Sequence, residues 1–327
     1  MYKETTIISG VLQLEPAAKS RFMLSHVISH RPRKKCCLLL FLAVLLHISY
    51  SAVCAEVVEP AIYVRGSDKI TRLDLDGDNM EVVIASNARG GIAADYSTQS
   101  LYWMGKDLTL NKSSLDGSST VVLMEERRWT WIDVNAADNR IFISQFGSMY
   151  SCWLDGSNLS EPLISVNSIV GIDFNEINNR VYFPNADAGA DDEVFAMDPD
   201  GSNTTRLIEH LVRPEGIAVD PLGQKMYFTL EGPDAIARAN LDGSDFEIIV
   251  QDPPGYQPQD IELGPDRQTV YWIEEQGRLY RCNLDGTNVE QIAQVPFGRQ
   301  FSILVPEPAT LGLFLIGGLA LLRRCRV

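Results

Sequence analysis

Three acidic residues recur at one position of a repeated segment. Asp133, Asp173 and Glu262 lie within short apolar stretches that read TWIDVN, VGIDFN and QDIELG. Carboxylate oxygens are the ligands that hard divalent cations prefer. If the three side chains converge, they could hold such an ion, which could act as a Lewis acid in a hydrolytic reaction. The alternative interpretation is that they are solvated by water in a channel.

A second acidic group lies in the segment 187–193, which reads DAGADDE. Asp187, Asp191 and Asp192 could bind Ca²⁺ or another divalent ion, the only kind of cofactor that this sequence indicates. Their spacing matches no established calcium-binding loop. The pattern therefore favours a solvated acidic loop over a metal site.

Composition limits the chemistry of the central region further. Residues 56–305 contain one histidine, His210, so a multi-histidine metal site is excluded, and a serine or cysteine nucleophile would have to use His210 as its base. The same region holds 40 of the 43 Asp and Glu and 18 of the 28 Lys and Arg, which gives a formal charge of −22. This acidity argues against nucleic acid as a partner, because nucleic-acid binding needs a basic face.

The elements that must position these residues repeat along the chain. Asp-Gly recurs six times, at 76–77, 116–117, 155–156, 200–201, 242–243 and 285–286. The intervals of 39 to 45 residues are typical of the four-stranded blade of a β-propeller. Asp-Gly between two strands predicts a hairpin whose two central residues both have positive φ. The sequence therefore predicts an all-β fold, a six-bladed propeller of four-stranded blades.

An aromatic strand precedes each hairpin, and the six strands read IYVRG, LYWMG, IFISQ, VYFPN, MYFTL and VYWIE. We expect their large side chains to form the core between blades, because both faces of a blade pack against neighbours. An apolar inner strand comes before five of the six, but none precedes Ile62 in the first blade. We predict that Gln300–Leu304 supplies this missing strand and closes the ring, which removes two exposed edges.

The repeats resemble the YWTD, or class B, repeat of low-density-lipoprotein receptors over about residues 62–304. The segment 216–220, GIAVD, matches that family's inner strand; the pairs Tyr102-Trp103 and Tyr271-Trp272 match its aromatic pair; and 241–243, LDG, matches its hairpin. The resemblance implies a six-bladed propeller that binds partners. The aspartate that ends the family's namesake motif is missing from every blade, so its bonds between blades must be replaced.

The two cysteines of the central region occupy equivalent positions in blades 3 and 6. Cys152 and Cys282 each lie three residues before a hairpin aspartate. These blades are opposite each other in a ring of six, whereas a disulfide needs Cα atoms within about 7 Å. We therefore predict two thiols rather than a disulfide.

One face of the predicted propeller carries loops that vary in length and content. These loops join the second strand to the third and the fourth strand to the next blade, and such loops on a rigid scaffold are where functional residues concentrate. Arginine and aromatic residues in them are candidates for partner binding because these residue types often dominate binding energy. The candidates are Arg128, Trp129, Arg213 and Tyr256. The alternative for Trp129 is that it caps the core of blade 3.

The N-terminal residues resemble a secretory signal peptide. RPRKK at 31–35 is followed by the apolar run CCLLLFLAVLL and then by Val53 and Ala55 at positions −3 and −1 of the predicted cleavage site. We assign residues 1–55 to the signal region, with Met23 as an alternative start, and residues 56–305 to the propeller.

The segment 306–327 reads PEPATLGLFLIGGLALLRRCRV. Its fourteen uncharged residues, Ala309 to Leu322, are fewer than the roughly 20 that a spanning helix needs. It resembles the PEP-CTERM sorting signal of Gram-negative bacteria, which implies processing by an exosortase and delivery to the cell surface or extracellular matrix. The alternative is a marginal membrane anchor; in both cases this segment contacts the membrane before any cleavage.

Three functions remain open at this point. The first is a non-enzymatic module that binds protein or extracellular polysaccharide at the bacterial cell envelope, surface or matrix. The second is a metal-dependent hydrolase or lactonase, as in the gluconolactonase family, whose six-bladed propellers hold a divalent metal in the channel. The third is a structural component of the matrix. Composition favours the first, because three carboxylates without a histidine are a weak catalytic set.

Overall fold

The computed structural model describes residues 58–125, 127–186, 192–251 and 257–305, and these form a six-bladed β-propeller. Each blade is an antiparallel sheet of four strands, named here from the channel outward. No helix within these residues is long and apolar enough to cross a membrane. The segments 1–57 and 306–327, and with them the predicted signal and sorting sequences, lie outside the described residues.

The strands of blades 1 to 3 are as follows. Blade 1 contains β24 (Gln300–Leu304), β1 (Ala61–Arg65), β2 (Ile70–Leu73) and β3 (Glu81–Ile84). Blade 2 contains β4 (Ala88–Asp95), β5 (Ser100–Gly105), β6 (Leu110–Ser114) and β7 (Thr120–Met124). Blade 3 contains β8 (Ile132–Asn135), β9 (Arg140–Gln145), β10 (Ser148–Trp153) and β11 (Ile164–Ser165).

Blades 4 to 6 follow the same order. Blade 4 contains β12 (Asp173–Asn175), β13 (Arg180–Asn185), β14 (Asp192–Met197) and β15 (Thr205–Leu211). Blade 5 contains β16 (Pro214–Asp220), β17 (Lys225–Leu230), β18 (Ala235–Asn240) and β19 (Glu247–Gln251). Blade 6 contains β20 (Pro258–Leu263), β21 (Thr269–Glu274), β22 (Arg278–Asn283) and β23 (Glu290–Gln294).

Closure of the ring by the last strand is confirmed. β24 pairs antiparallel with β1, with Ala61 opposite Leu304 and Arg65 opposite Gln300. The inner strand of blade 1 thus comes from the end of the propeller sequence, while its other three strands come from the beginning. Because the first blade is built from both ends, no edge strand is left open at the junction.

The core consists of six apolar clusters, one at each junction between neighbouring blades. The first aromatic residue of each second strand lies in one of them and is at most 4% exposed. These residues are Tyr63, Tyr102, Phe142, Tyr182, Tyr227 and Tyr271. The predicted aromatic core is therefore confirmed. Cys152 and Cys282 are buried at two different junctions and form no disulfide, as predicted.

The six Asp-Gly hairpins are present, but the expected turn type is wrong. Only the glycine has positive φ, for example 86° at Gly77, and Asp76 does not. The N–H of Gly77 donates to the carbonyl of Asp74, three residues earlier, at 3.1 Å. In the first hairpin, Asp74 accepts the N–H of Asp78 at 2.8 Å. In five of the six hairpins the aspartate instead accepts the N–H of the residue two places on, as Asp285 does from Thr287 at 3.0 Å. The aspartate is selected for this side-chain bond rather than for a left-handed backbone.

Candidate functional site

The channel carboxylates lie where the sequence predicts, on three of the inner strands. Asp133, Asp173 and Glu262 each stand opposite the first aromatic residue of the neighbouring second strand. Asp133 Oδ2 accepts the N–H of Phe174 in blade 4 at 2.8 Å. Asp173 Oδ2 accepts the N–H of Val219 in blade 5 at 2.5 Å. These two aspartates therefore fasten one blade to the next.

The same kind of bond recurs at two further junctions. Asp260 Oδ2 accepts the N–H of Phe301, which joins blade 6 to blade 1, at 3.0 Å. Ser302 Oγ accepts the N–H of Ala94, which joins blade 1 to blade 2, at 3.0 Å. Side chains of the inner strands thus make blade-to-blade bonds in a chain that lacks the family's namesake aspartate. Sequence reasoning missed Asp260, although it lies two residues before Glu262 and so faces the same side of the strand.

The predicted cation site is not assembled from these carboxylates. Within the part of the chain that the structure describes, no group of three or more His, Cys, Asp or Glu side chains could hold a metal ion. Asp133 and Asp173 each use one carboxylate oxygen to accept a backbone N–H of the next blade. Asp187 and Asp191 lie outside the described residues, and Asp192 is 1% exposed and accepts the N–H of Arg213 at 2.8 Å.

The surroundings of the channel carboxylates favour their neutral forms. Burial raises the pKa of Asp133 to about 6 and that of Asp260 to about 7, against the opposing effect of the N–H bonds that they accept. Burial, together with repulsion from neighbouring carboxylates, raises the pKa of Asp173 and of Glu262 well above the ordinary values. The channel therefore carries less negative charge near neutral pH than its composition implies.

The variable-loop face carries a cavity of about 350 Å³ between blades 1, 2 and 3. Six of the residues that line it are cationic, and none of its lining residues is Asp or Glu. The six are Arg65, Arg89, Lys106, Arg127, Arg128 and Arg299. We call this the basic cavity. In a propeller with a formal charge of −22, such a concentration of positive charge marks a place for an anionic group.

Arg65 lies at the base of this arrangement and is held in place by three bonds. Its guanidinium donates to the carbonyls of Gly90 (3.1 Å) and Gly66 (3.3 Å) and to Oε1 of Gln300 (2.9 Å). Burial and the positive charges of Arg299 and Arg89 lower the pKa of Arg65 to about 10. Burial is the largest cause of this shift, and the negative charge of Asp260 opposes it.

Two of the six cations have carboxylate partners, both outside the cavity wall. Lys106 pairs with Asp68 at 3.5 Å, and Arg299 pairs with Glu275. Arg89, Arg127 and Arg128, by contrast, have no carboxylate within 4 Å among the described residues. Arg127 instead lies over the rings of Trp129 and Tyr150, at 5.6 and 5.8 Å from their centroids.

The predicted partner residues fall into three groups. Arg128 is exposed in the wall of the basic cavity. Trp129 also lines it, is only 4% exposed and packs in the core between blades 2 and 3, which agrees with the alternative that it caps the core of blade 3. Arg213 does not line this cavity; it lies between blades 4 and 5 and pairs with Glu231. Tyr256 lies outside the described residues.

Four members of the basic cavity were missed by sequence reasoning: Arg65, Arg89, Lys106 and Arg299. Each lies in, or directly next to, a loop of the variable-loop face. Aligning the blades by their hairpins would have placed all four on that face. The charge run 127–128 was the only part visible as a local pattern.

Curated relatives share the repeat but are much longer than this chain. The matches include mouse nidogen-2 (32% identity over 102 residues), mouse low-density lipoprotein receptor-related protein 5 (31% over 104) and the vitellogenin receptor of Solenopsis invicta (29% over 112). Each match covers 29–34% of this chain but only 6–7% of the relative. No family model matches the chain.

Solved structures establish the fold. The propeller aligns with a chain of the nidogen/laminin complex at a TM-score of 0.68, with 15% identity, over 75% of this chain and 98% of that one. This chain is similar to the propellers of nidogen and low-density-lipoprotein receptors. Similar structures also include TolB of Acinetobacter baumannii (TM-score 0.61, 14% identity, 76% and 66% coverage) and a gluconolactonase of Xanthomonas campestris (0.53, 19%, 73% and 85%). At these identities the likeness concerns the fold alone.

Proposed function

We propose that this chain is an exported, non-enzymatic binding module that engages a protein partner through its variable-loop face. The observation that carries the proposal is the basic cavity, a strongly cationic concavity in an acidic ring. A rigid propeller presents such a site without any need for catalytic groups. The similarity to nidogen, whose solved complex contains laminin, supports a protein as the partner.

Two exposed phenylalanines support the same face. Phe146 and Phe297 are 73% and 70% exposed, and both lie in its loops, between β9 and β10 and between β23 and β24. Both also have positive φ, at 47° and 59°, a conformation that is unfavourable for a bulky side chain. Strained backbone and exposed aromatic groups are features that binding surfaces retain.

The lactonase alternative has less support. Its resemblance to the gluconolactonase is one of fold, at 19% identity. Two of the three channel carboxylates that would have to hold a metal, Asp133 and Asp173, accept blade-to-blade bonds. The single histidine of the propeller, His210, is 77% exposed in an outer strand and lies 3.9 Å from Glu209, so it is not a base inside the channel.

For cellular location, we propose that residues 1–55 direct export and that 306–327 act as the sorting signal, with exosortase processing at the surface of a Gram-negative bacterium. The relatives named above are receptor and nidogen proteins, which agrees with export. The propeller would then occupy 56–305.

Matched substitutions on the two faces test the binding function. Phe146→Glu with Phe297→Glu changes the loop face, and Ile177→Glu with Leu222→Glu changes exposed apolar residues in the turns of the opposite face. We expect a partner captured from the native cell envelope by the wild-type protein to be retained by the second pair and lost by the first. If only Ile177→Glu with Leu222→Glu loses the partner, the partner binds the opposite face, and the proposal is overturned.

A further inference from the structure

We propose that the basic cavity binds the carboxylate side chains of an acidic segment of the protein partner. This inference rests on the proposed function and specifies the chemistry of the same site. It concerns the part of the surface where six cationic side chains meet around about 350 Å³.

Charge balance is the first argument. The cationic residues elsewhere in the ring are mostly neutralised by nearby carboxylates: Arg72 pairs with Glu81 at 3.2 Å, and Arg238 pairs with Glu247 at 2.6 Å. In the basic cavity, Arg89, Arg127 and Arg128 have no such partner among the described residues, although the propeller has more than twice as many acidic as basic residues. The missing negative charge is best supplied by a ligand.

Preorganisation is the second argument. Bonds from the Arg65 guanidinium to Gly90 and Gln300 fix its position at the junction of blades 1 and 2. Gln300 is itself 6% exposed, and its Nε2 donates to the carbonyl of Thr130 in the next loop at 3.3 Å. The base of the cavity is therefore rigid, while the guanidinium groups of Arg89 and Arg128 at its mouth are exposed. A guanidinium matches a carboxylate with two parallel hydrogen bonds.

The carboxylates beneath the cavity do not cancel this charge. Asp260 and Glu262 line a small space of about 20 Å³ that shares Gln300 and Trp131 with the basic cavity. Burial raises the pKa of Asp260 to about 7 and that of Glu262 well above its ordinary value, so the two carboxyls carry less negative charge near neutral pH than exposed carboxylates do. Oδ2 of Asp260 also accepts a hydrogen bond from the N–H of Phe301. The cavity thus keeps a net positive charge toward its opening.

The surroundings favour a protein segment over an acidic polysaccharide. A cavity of this volume accepts a few side chains rather than a continuous polyanion. Exposed aromatic groups on the same face, Phe146 and Phe297, add the apolar contacts that protein interfaces contain beside arginine.

The test uses the full chain and a fluorescent peptide of alternating glutamate and glycine, with the glutamine peptide as its uncharged counterpart. We expect the glutamate peptide to bind, with an affinity that falls as salt is raised. Arg89→Gln with Arg128→Gln should weaken binding by about ten-fold or more, because two direct contacts are lost. The matched control is Arg206→Gln with Arg267→Gln, which removes the same charge from two ion-paired arginines in blades 4 and 6 and should leave binding unchanged.

The inference would be overturned if the glutamate and glutamine peptides bound equally well. It would also be overturned if the control variant lost as much affinity as Arg89→Gln with Arg128→Gln. Binding of polygalacturonate at this site without binding of the glutamate peptide would overturn it as well. Arg89→Lys with Arg128→Lys keeps the charge and should restore part of the affinity. If the loop-face phenylalanine variant loses the native partner while Arg89→Gln with Arg128→Gln retains it, the proposed function stands and this inference fails. If the glutamate peptide binds but substitutions on neither face affect a native partner, the proposed function fails, and with it the assignment of the acidic segment to a protein partner.

Discussion

The N–H of Phe301 donates to Oδ2 of Asp260 at 3.0 Å across the junction where the two ends of the propeller sequence meet. Phe301 lies on the closing strand of blade 1 and is 1% exposed; Asp260 lies on the inner strand of blade 6 and is 7% exposed. The bond therefore fastens the closing strand to the neighbouring blade as well as to its own sheet. Asp133 and Asp173 make the same kind of bond at two other junctions, from a position two residues further along the inner strand.

We expect Asp260→Ala to lower the free energy of unfolding by about 1–3 kcal/mol, because the buried N–H of Phe301 loses its acceptor. Asp260→Asn is the matched control: it keeps an oxygen acceptor and removes the cost of burying a charge. Thermal unfolding of the two variants measures the difference. Equal stability of the alanine and asparagine variants would show that this bond contributes nothing.

Asp133 and Asp260 are expected to make the folded protein more stable at acidic than at neutral pH. Burial raises the pKa of Asp133 to about 6 and that of Asp260 to about 7, above the unfolded value of about 3.9. The folded state thus binds more protons than the unfolded state. The contribution of these groups is fully present below pH about 4 and is lost as the pH rises through about 6 to 7.

Thermal unfolding at pH 5 and pH 8 measures this effect. We expect a higher Tm at about pH 5 than at about pH 8, and a smaller difference in the double variant Asp133→Asn with Asp260→Asn. A wild-type Tm that rises from pH 5 to pH 8 would mean that these carboxyls are charged in the folded protein.

Deletion of Gln300–Leu304 should abolish cooperative folding, because it removes the inner strand of blade 1 and opens two edges. Circular dichroism and size-exclusion chromatography measure the outcome. A chain truncated after Val305 is the control, since it keeps the closing strand. A soluble, cooperatively unfolding deletion variant would contradict closure of the ring by this strand.

The features of this fold that could be predicted are those that a local sequence pattern indicates. The hairpins and the aromatic strands recur at fixed spacing, so blade count and core followed from the sequence. The closing strand followed by elimination, because Gln300–Leu304 was the one unassigned segment of suitable length. The turn type did not follow, because Asp-Gly occurs both in turns where aspartate has positive φ and in turns where, like Asp76, it does not.

The basic cavity was not predictable, because its members come from distant parts of the chain. Arg65 and Arg299 are separated by most of the sequence and meet only when the ring closes. The fold also decides which cationic side chains lie next to a carboxylate. Arg299 pairs with Glu275, whereas Arg128 has no carboxylate partner among the residues described. For the channel carboxylates, the sequence left a cation site and solvated side chains open, because spacing does not show which backbone N–H groups they accept in the next blade.

Processing of the two ends gives an independent prediction. If our proposal for the flanking segments is correct, the surface-located protein begins near Glu56 and lacks the residues beyond about Pro308. Replacing Pro306, Glu307 and Pro308 with alanine should leave the tail in place. Intact-mass measurement distinguishes the forms, and a wild-type protein that retains the arginines near its C-terminus would favour an ordinary anchor.

Hydrogen exchange on the complex with the captured partner tests the central claim most directly, because it reports which face of the propeller is covered. The account predicts slower exchange on binding in loop-face segments 87–90, 105–109, 127–131 and 297–300, and unchanged exchange in the hairpins on the opposite face. Slower exchange confined to the hairpins around Gly77 and Gly286, with the loop-face segments unchanged, would contradict it.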